Sequence, residues 1–188
     1  MELIQGILSR RSIRRFRAEK VSRETVKKIV AAASYAPSWK NTQTVRYYVF
    51  EDQERKTEIA RKHTLGFTYN TGTIEHAPQV VAVTAVKGKS GAVQKGAFTT
   101  AQKENWMLFD AGAACQTFCL AAREYGVGTV IMGIFDAEMV AKLLHIPEDE
   151  QVICLICMGY PEEDPKAPVR MPVEDLLHFC DESQEGEA

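Results

Sequence analysis

Two stretches of this chain leave it little freedom: QVVAVTAV, residues 79–86, and QVICLICMGY, residues 151–160. Each is apolar almost without interruption. A strand with one face in water alternates apolar and polar residues, whereas a strand buried on both faces does not. Both stretches therefore read as central strands that need a packed layer on each side. Helices are the candidates for those layers. NWMLFDAGAACQTFCLAAREYG, residues 105–126, is apolar nearly all round and closed by Gly126 as a C-cap, so it is expected to lie at the centre. Ser22 caps another helix, with Glu24 at its positive end and Val26, Ile29 and Val30 on its buried face, and Pro37 stops it. Asp136 caps a third, AEMVAKLLH, which ends before Pro147. QERKTEIARKH reads as a polar surface helix, and residues 2–10 as a short helix with Leu3, Ile4, Ile7 and Leu8 on one stripe. VRYYVF and TVIMGIF supply two more strands.

Helices interleaved with strands predict helices on both faces of a mixed central sheet, and residues 1–188 are expected to form one domain. A sheet of about four strands has open edges, which a partner chain is one way to cover. Residues 87–104, rich in Gly, Lys, Ser and Thr without periodicity, read as a mobile surface segment, and the tail from Pro161 as polar and partly irregular.

Composition matters here for what it excludes. A formal net charge of −2 argues against a nucleic-acid-binding face across the chain. No apolar run reaches the roughly 18 residues of a membrane span. The opening MELIQGILSRRS carries its charge after its apolar stretch, the reverse of a secretory signal. Five cysteines, an odd number, point to reduced thiols and a cytoplasmic location. Phosphate-loop, dinucleotide, nucleophile-elbow and zinc-protease signatures are all missing. His63, His76, His145 and His178 are scattered. Cys154 and Cys157 share a predicted strand, where a spacing of three sends them to opposite faces, so no shared metal or disulfide is expected. Cys115 and Cys119 read as core filler.

Against that balance, RRSIRRF gathers four arginines into residues 10–16. If the first helix extends that far, Arg10 and Arg14 lie one turn apart with Ser12 beside them. Guanidinium groups suit a phosphate because they donate in pairs and never lose their charge. Arginines at a helix end also complement the macrodipole, and the stretch alone supports both readings equally. A second cluster, APSWKNTQ, places a Pro-Ser turn and the amides Asn41 and Gln43 just before a strand. Its amides suit the edge of a heteroaromatic ring, although alone it reads more simply as an ordinary turn.

In order along residues 10–172, R-R-S-I-R-x-F, A-P-S-x-x-N-x-Q, W-M-x-x-x-x-G-x-A before G-V-G-T, M-G-I-F-D, G-Y-P and R-M-P resemble the nitroreductase family of FMN-dependent oxidoreductases. The resemblance implies an α+β fold, an intertwined homodimer that exchanges terminal segments, and non-covalent FMN at the subunit interface. It implies hydride transfer from NAD(P)H through flavin N5 to a nitroaromatic, quinone or similar acceptor, ping-pong, with the chemistry on the flavin and no catalytic side chain. By the same resemblance, Arg10, Arg11 and Ser12 hold or border the phosphate and Arg14 lies against the pyrimidine edge. Pro37, Ser38, Trp39 and Asn41 reach the ring from the other subunit. Asn70 supplies an amide, Met132 and Gly133 present backbone near N5, and Arg170 returns from the tail to the phosphate. Thr44-Val45 stands where the family usually has Pro-Trp, and Trp39-Lys40 where a small pair is common. Pro168 stands where some relatives have a lysine, leaving Lys166 as the available substitute. The 87–104 segment is short for the family, so the acceptor transfers least well. A bulky Trp39 closing the acceptor site would favour the alternative, a flavin-binding protein that stores, senses or processes FMN. A small nucleic-acid-binding regulator is the third reading.

Overall fold

A computed structural model describes residues 2–94 and 97–180. Its strands are β1 (Val45–Phe50), β2 (Gln79–Val86), β3 (Ala92–Gln94), β4 (Ala97–Phe98), β5 (Gly128–Met132) and β6 (Glu150–Gly159). Its helices are α1 (Leu3–Ser9), α2 (Arg23–Ala33), α3 (Gln53–Lys62), α4 (Tyr69–His76), α5 (Trp106–Glu124) and α6 (Ala137–Leu143). The two continuous apolar stretches, β2 and β6, lie side by side in the middle of a four-stranded sheet ordered β1-β2-β6-β5. All of these neighbours pair antiparallel. The parallel element that makes the sheet mixed is a bridge from Ser12 to Thr129 on β5.

Every residue of β2 is buried, because both faces of the sheet are covered. Val80 and Ala82 point into a core with Ile59, Ala60 and Ile74 of α3 and α4 and Val140 of α6. Val81 and Val83 point into a second core with Ile29 of α2 and Cys115, Phe118 and Cys119 of α5. Strand β6 serves both: Leu155 and Cys157 enter the first core, Cys154, Ile156 and Met158 the second. Its register shifts between Val83 and Thr84, which leaves Ile153 opposite no partner. That bulge lets Val152 join Leu155 and Cys157 on one face, which strict alternation would forbid. Burying each such side chain contributes about 1.5–3 kcal/mol.

The helix caps follow the sequence. Ser22 Oγ accepts from the Thr25 N–H at 3.1 Å, and Asp136 Oδ1 from the Met139 N–H at 3.0 Å. Gly126 sits after α5 at φ +71°, the left-handed position a C-cap glycine takes. Lys56 of the polar-looking α3 is buried and donates Nζ–H to the Ala77 carbonyl at 2.7 Å.

Three expectations are corrected. Helix α1 stops at Ser9, since Arg10 is already extended (φ −63°, ψ 131°), so Arg10 and Arg14 share no helical turn. The 87–104 segment is not a featureless surface loop: β3 and β4 pair antiparallel, Ser90 and Ala92 are buried, and Lys103–Asn105 form a 3-10 turn; positions 95 and 96 lie outside the described residues. Helix α5 is central, yet Leu108 and Phe109 are exposed, because no element among the described residues covers that face. The sequence pattern also missed α4, whose TYNTGTIEH has no strong apolar period. No described helix is long and apolar enough to cross a membrane.

Candidate functional site

The arginine-rich strip is laid against the sheet by backbone hydrogen bonds. The Ile13 N–H donates to the Thr129 carbonyl and the Arg17 N–H to the Tyr160 carbonyl, both at 2.9 Å, and Phe16 bridges Pro161. Ile13 and Phe16 are buried, so the side chains around them turn outward. Two glycines allow this approach. A Cβ at Gly128 would lie 2.7 Å from Ile13 Cγ1, and one at Gly159 would lie 2.8 Å from Pro78 Cδ and 3.2 Å from Phe16 Cδ1. The G-V-G-T and G-Y-P motifs are therefore the floor on which the strip rests.

The outward arginines do different things. Arg11 Nη1 donates to the Leu8 and Arg10 carbonyls at 2.6 and 2.8 Å, so for Arg11 the helix-end reading holds. Arg14 donates weakly to the Ser12 carbonyl at 3.4 Å and places its guanidinium 5.7 Å from the centre of the Tyr69 ring. Tyr69 opens α4, and the next residue is the buried Asn70, so the expected amide stands one residue along from the strip's contact. Arg15 pairs with Glu163 at 3.8 Å. Among the described residues, no carboxylate lies within ion-pair distance of Arg10, Arg11 or Arg14. Arg10 and Ser12 are half-buried.

At the end of β5, Met132 is buried with its sulfur 3.9 Å from Cys157 Sγ. Gly133 is exposed, and a Cβ there would meet nothing within 4 Å, so its backbone faces open space. Lys166 and Arg170 lie in the exposed tail and form no ion pair among the described residues.

The second cluster stands elsewhere. The Trp39 N–H donates to Asp110 of α5, 3.0 Å from Oδ2 and 3.2 Å from Oδ1. The Trp39 indole N–H donates to the Ala92 carbonyl at 2.9 Å, and its ring meets Trp106 edge-on at 5.6 Å. Ser38 Oγ accepts from the Gln43 N–H at 3.0 Å. Lys40, Asn41 and Gln43 all adopt positive φ, at 45°, 55° and 46°. Left-handed backbone costs an ordinary residue roughly 1–2 kcal/mol, so contacts must hold this loop in place. Pro37, Ser38 and Gln43 also border a largely apolar cleft of about 580 Å³ between α2, β1 and α5. On its wall, the Thr44 hydroxyl has no hydrogen-bond partner among the described residues, and neither does the Tyr47 hydroxyl, whose ionisation burial pushes well up.

The two clusters sit at opposite ends of α5. Asp110 anchors Trp39 near its start, and Arg123 Nε donates to Ser9 Oγ at 2.8 Å near its end. Thirteen residues separate these anchors, about 20 Å at roughly 1.5 Å per residue. Within one chain the structure thus brings Arg10, Ser12, Arg14, Asn70 and the β5 exit to one region, and leaves Pro37, Ser38, Trp39 and Asn41 apart from them. Asp110 escaped the sequence reading. Its signal was present: a carboxylate set among apolar residues near the start of the most apolar helix must find donors, because burying it unpaired is costly. Cys115 and Cys154 lie with their sulfurs 3.5 Å apart inside the second core, and Cys157 lies in the other. Among the described residues no cluster of His, Cys, Asp or Glu could hold a metal ion.

Comparison with known proteins bears on this arrangement. The Nitroreductase family model matches residues 7–160. The chain is 29% identical over 193 residues to an NADH dehydrogenase of Thermus thermophilus, with 90% of this chain and 92% of that protein covered. It is 27% identical over 178 residues to the NADPH-flavin oxidoreductase of Vibrio harveyi, covering 93% of this chain and 72% of the relative. The solved structure of a nitroreductase family protein from Clostridium novyi superimposes with a TM-score of 0.77 at 27% identity, covering 89% of each chain.

Proposed function

From the premise that the chain belongs to the nitroreductase family, we propose that it is an FMN-dependent oxidoreductase carrying reducing equivalents from NAD(P)H to a nitroaromatic, quinone or similar small acceptor. FMN, when bound, supplies the ring that takes up and gives up hydride; the protein supplies position and charge. The observation that carries this reading is the set of guanidinium groups at Arg10, Arg11 and Arg14 with no carboxylate within ion-pair distance among the described residues. A bound dianion would answer that charge, and charge-assisted hydrogen bonds from Arg10 are the strong kind.

The extended strip favours a division of labour. Four residues of extended chain separate the Cα atoms of Arg10 and Arg14 by up to about 13 Å. That spacing suits the two ends of a long ligand better than a single phosphate. Arg10, with Ser12, would hold the phosphate, and Arg14, over Tyr69, would stand at the ring with Asn70. Arg11 would contribute field rather than contact, since its donors serve α1. The open backbone at Met132-Gly133 would let a flat ring approach closely.

A second copy completes the site in this reading. The 20 Å between the clusters makes it hard for one chain to offer both to one ring, whereas two copies could pair each strip with the other's Pro37, Ser38, Trp39 and Asn41. The exposed Leu108 and Phe109 on α5 and Val169, Met171, Leu176 and Phe179 in the tail supply apolar surface for such a contact and for exchanged termini. Obligate interfaces usually bury more than about 2,000 Å². Lys166 and Arg170, exposed in that tail, would approach the phosphate from such an exchanged terminus. Trp39 speaks against the storage or sensing alternative: its ring is packed on Trp106 and tied to Ala92 rather than free to close an acceptor site.

The test is direct. The protein should purify yellow as a dimer, release FMN on heating, and reduce a panel of nitroaromatics and quinones with NADH or NADPH. Folded protein that takes up no FMN when supplied with it, or a flavin-loaded dimer inert to every acceptor, rejects the proposal.

A further inference from the structure

One buried group joins two segments that the sequence keeps far apart. Asp110 is 2% exposed, and no cation among the described residues lies within ion-pair distance of it. A carboxylate offers only acceptors when ionised, so whatever packs on it must bring donors. Two segments do: the Trp39 N–H reaches Oδ2 at 3.0 Å, and the Ser90 hydroxyl reaches the same oxygen at 2.6 Å. Ser90 is itself 2% exposed and stands two residues before Ala92, whose carbonyl takes the Trp39 indole N–H. Asp110, Trp39 and the Ser90–Ala92 turn thus form a closed circuit of hydrogen bonds. Gly91 lets that turn pack tightly, since a Cβ there would lie 2.5 Å from the Lys103 carbonyl. Trp106, one helical turn before Asp110, covers the circuit with its ring. Immediately beyond Trp39 come the left-handed Lys40, Asn41 and Gln43, a conformation that persists only where surrounding contacts enforce it.

We propose that Asp110 is a positioning residue of the cofactor site, holding the Pro37–Asn41 loop in its ring-facing shape and locking it to the β3–β4 hairpin so that the two move as one unit. This rests on the reading of that loop as a contact of the flavin ring. It follows that Asp110 acts on the ring half of the cofactor and on access beside it, and leaves the phosphate half alone.

The experiment titrates wild type, D110A and D110N with FMN and with riboflavin, which lacks the phosphate, and records the visible circular dichroism of the bound flavin. D110A leaves the half-buried Trp39 N–H and the buried Ser90 hydroxyl without their acceptor and should weaken both flavins by the same factor, about tenfold or more, with an altered dichroism. D110N keeps one oxygen, which can accept from both Trp39 and Ser90 as Oδ2 does, so it should restore affinity and spectrum. Unchanged affinity in folded D110A, a loss confined to FMN, or a folded D110N that fails to recover overturns the inference. Should D110A not fold, S90A decides: by freeing only the hairpin it should shift the acceptor KM about threefold or more at unchanged flavin affinity, and an unchanged KM overturns the coupling. Folded wild type that binds no FMN instead rejects the flavin reading itself, and this inference with it.

Discussion

At one end of α5 the strip of residues 10–16 lies in relaxed extended backbone, bonded to β5 and to the chain just after β6 and seated on Gly128 and Gly159. At the other end the loop of residues 38–43 carries three non-glycine residues at positive φ and hangs from a buried carboxylate. The strip is held by groups every residue possesses, its own N–H and C=O, so side chains such as Arg10 and Arg14 can turn to a ligand without loosening it. The loop is held by particular side chains, so its shape is conditional on them. One half of the candidate site is built into the sheet, and the other is clamped onto it.

The sharpest way to break the contrast is to attack the floor of the strip. Gly128→Val puts side-chain atoms where Ile13 already lies and should destabilise the protein by roughly 1–3 kcal/mol or more, as overpacking does. Urea denaturation measures that loss, and FMN titration should show the strip's half of the site failing while Trp39 keeps its fluorescence environment. If Val is accepted with FMN affinity intact, the strip does not depend on its glycine floor.

Within an intact strip, Arg10→Ala should lower FMN affinity by about tenfold or more, since a hydrogen bond to a charged group is worth roughly 1.5–3 kcal/mol. Riboflavin affinity should hardly change. Equal losses for both ligands would mean that Arg10 does not face the phosphate.

A smaller effect of opposite sign should appear at the loop. Lys40→Gly relieves a left-handed residue and should raise stability by up to about 1 kcal/mol. Arg14→Gly on the strip, where no positive φ is relieved, should bring no such gain. Chemical denaturation of the pair tests whether strain is confined to the clamped half.

The smallest effect is a control outside both halves. Burial holds the Lys56 amine below its ordinary value of 10.5. Between that lowered value and 10.5 the unfolded chain binds a proton that the folded chain does not, so this residue makes stability rise with pH across that window. Lys56→Met should flatten the alkaline rise in ΔG of unfolding and leave the titrations of both flavins unchanged.

Where the sequence spoke clearly, the determining physics was local. Ser22 and Asp136 cap their helices because a cap is settled within three residues, and β1 occupies the VRYYVF that its β-branched and aromatic residues mark out. The RRSIRRF cluster was visible as unusual, but its geometry was not. Whether α1 ran on through Arg14 depended on Ile13 finding Thr129, a contact made far along the chain, and on Arg11 turning back to cap Leu8. The hairpin inside the 87–104 segment was hidden for a similar reason: Ser90 and Ala92 are tied to the distant Asp110 and Trp39 as well as to their own neighbours.

By itself the sequence determined that two almost wholly apolar strands must be covered on both faces, and that positive charge collects at one short stretch of a nearly neutral chain. Periodicity and charge are properties of neighbouring residues, so they survive without a fold. Only the tertiary structure decided that Arg11 serves a helix end, that Arg10 and Arg14 stand apart along an extended strip, and that a carboxylate buried in α5 grips a loop from 71 residues away. Each of those depends on which distant groups pack together. A chain can specify such contacts, but it does not display them until its two cores have closed.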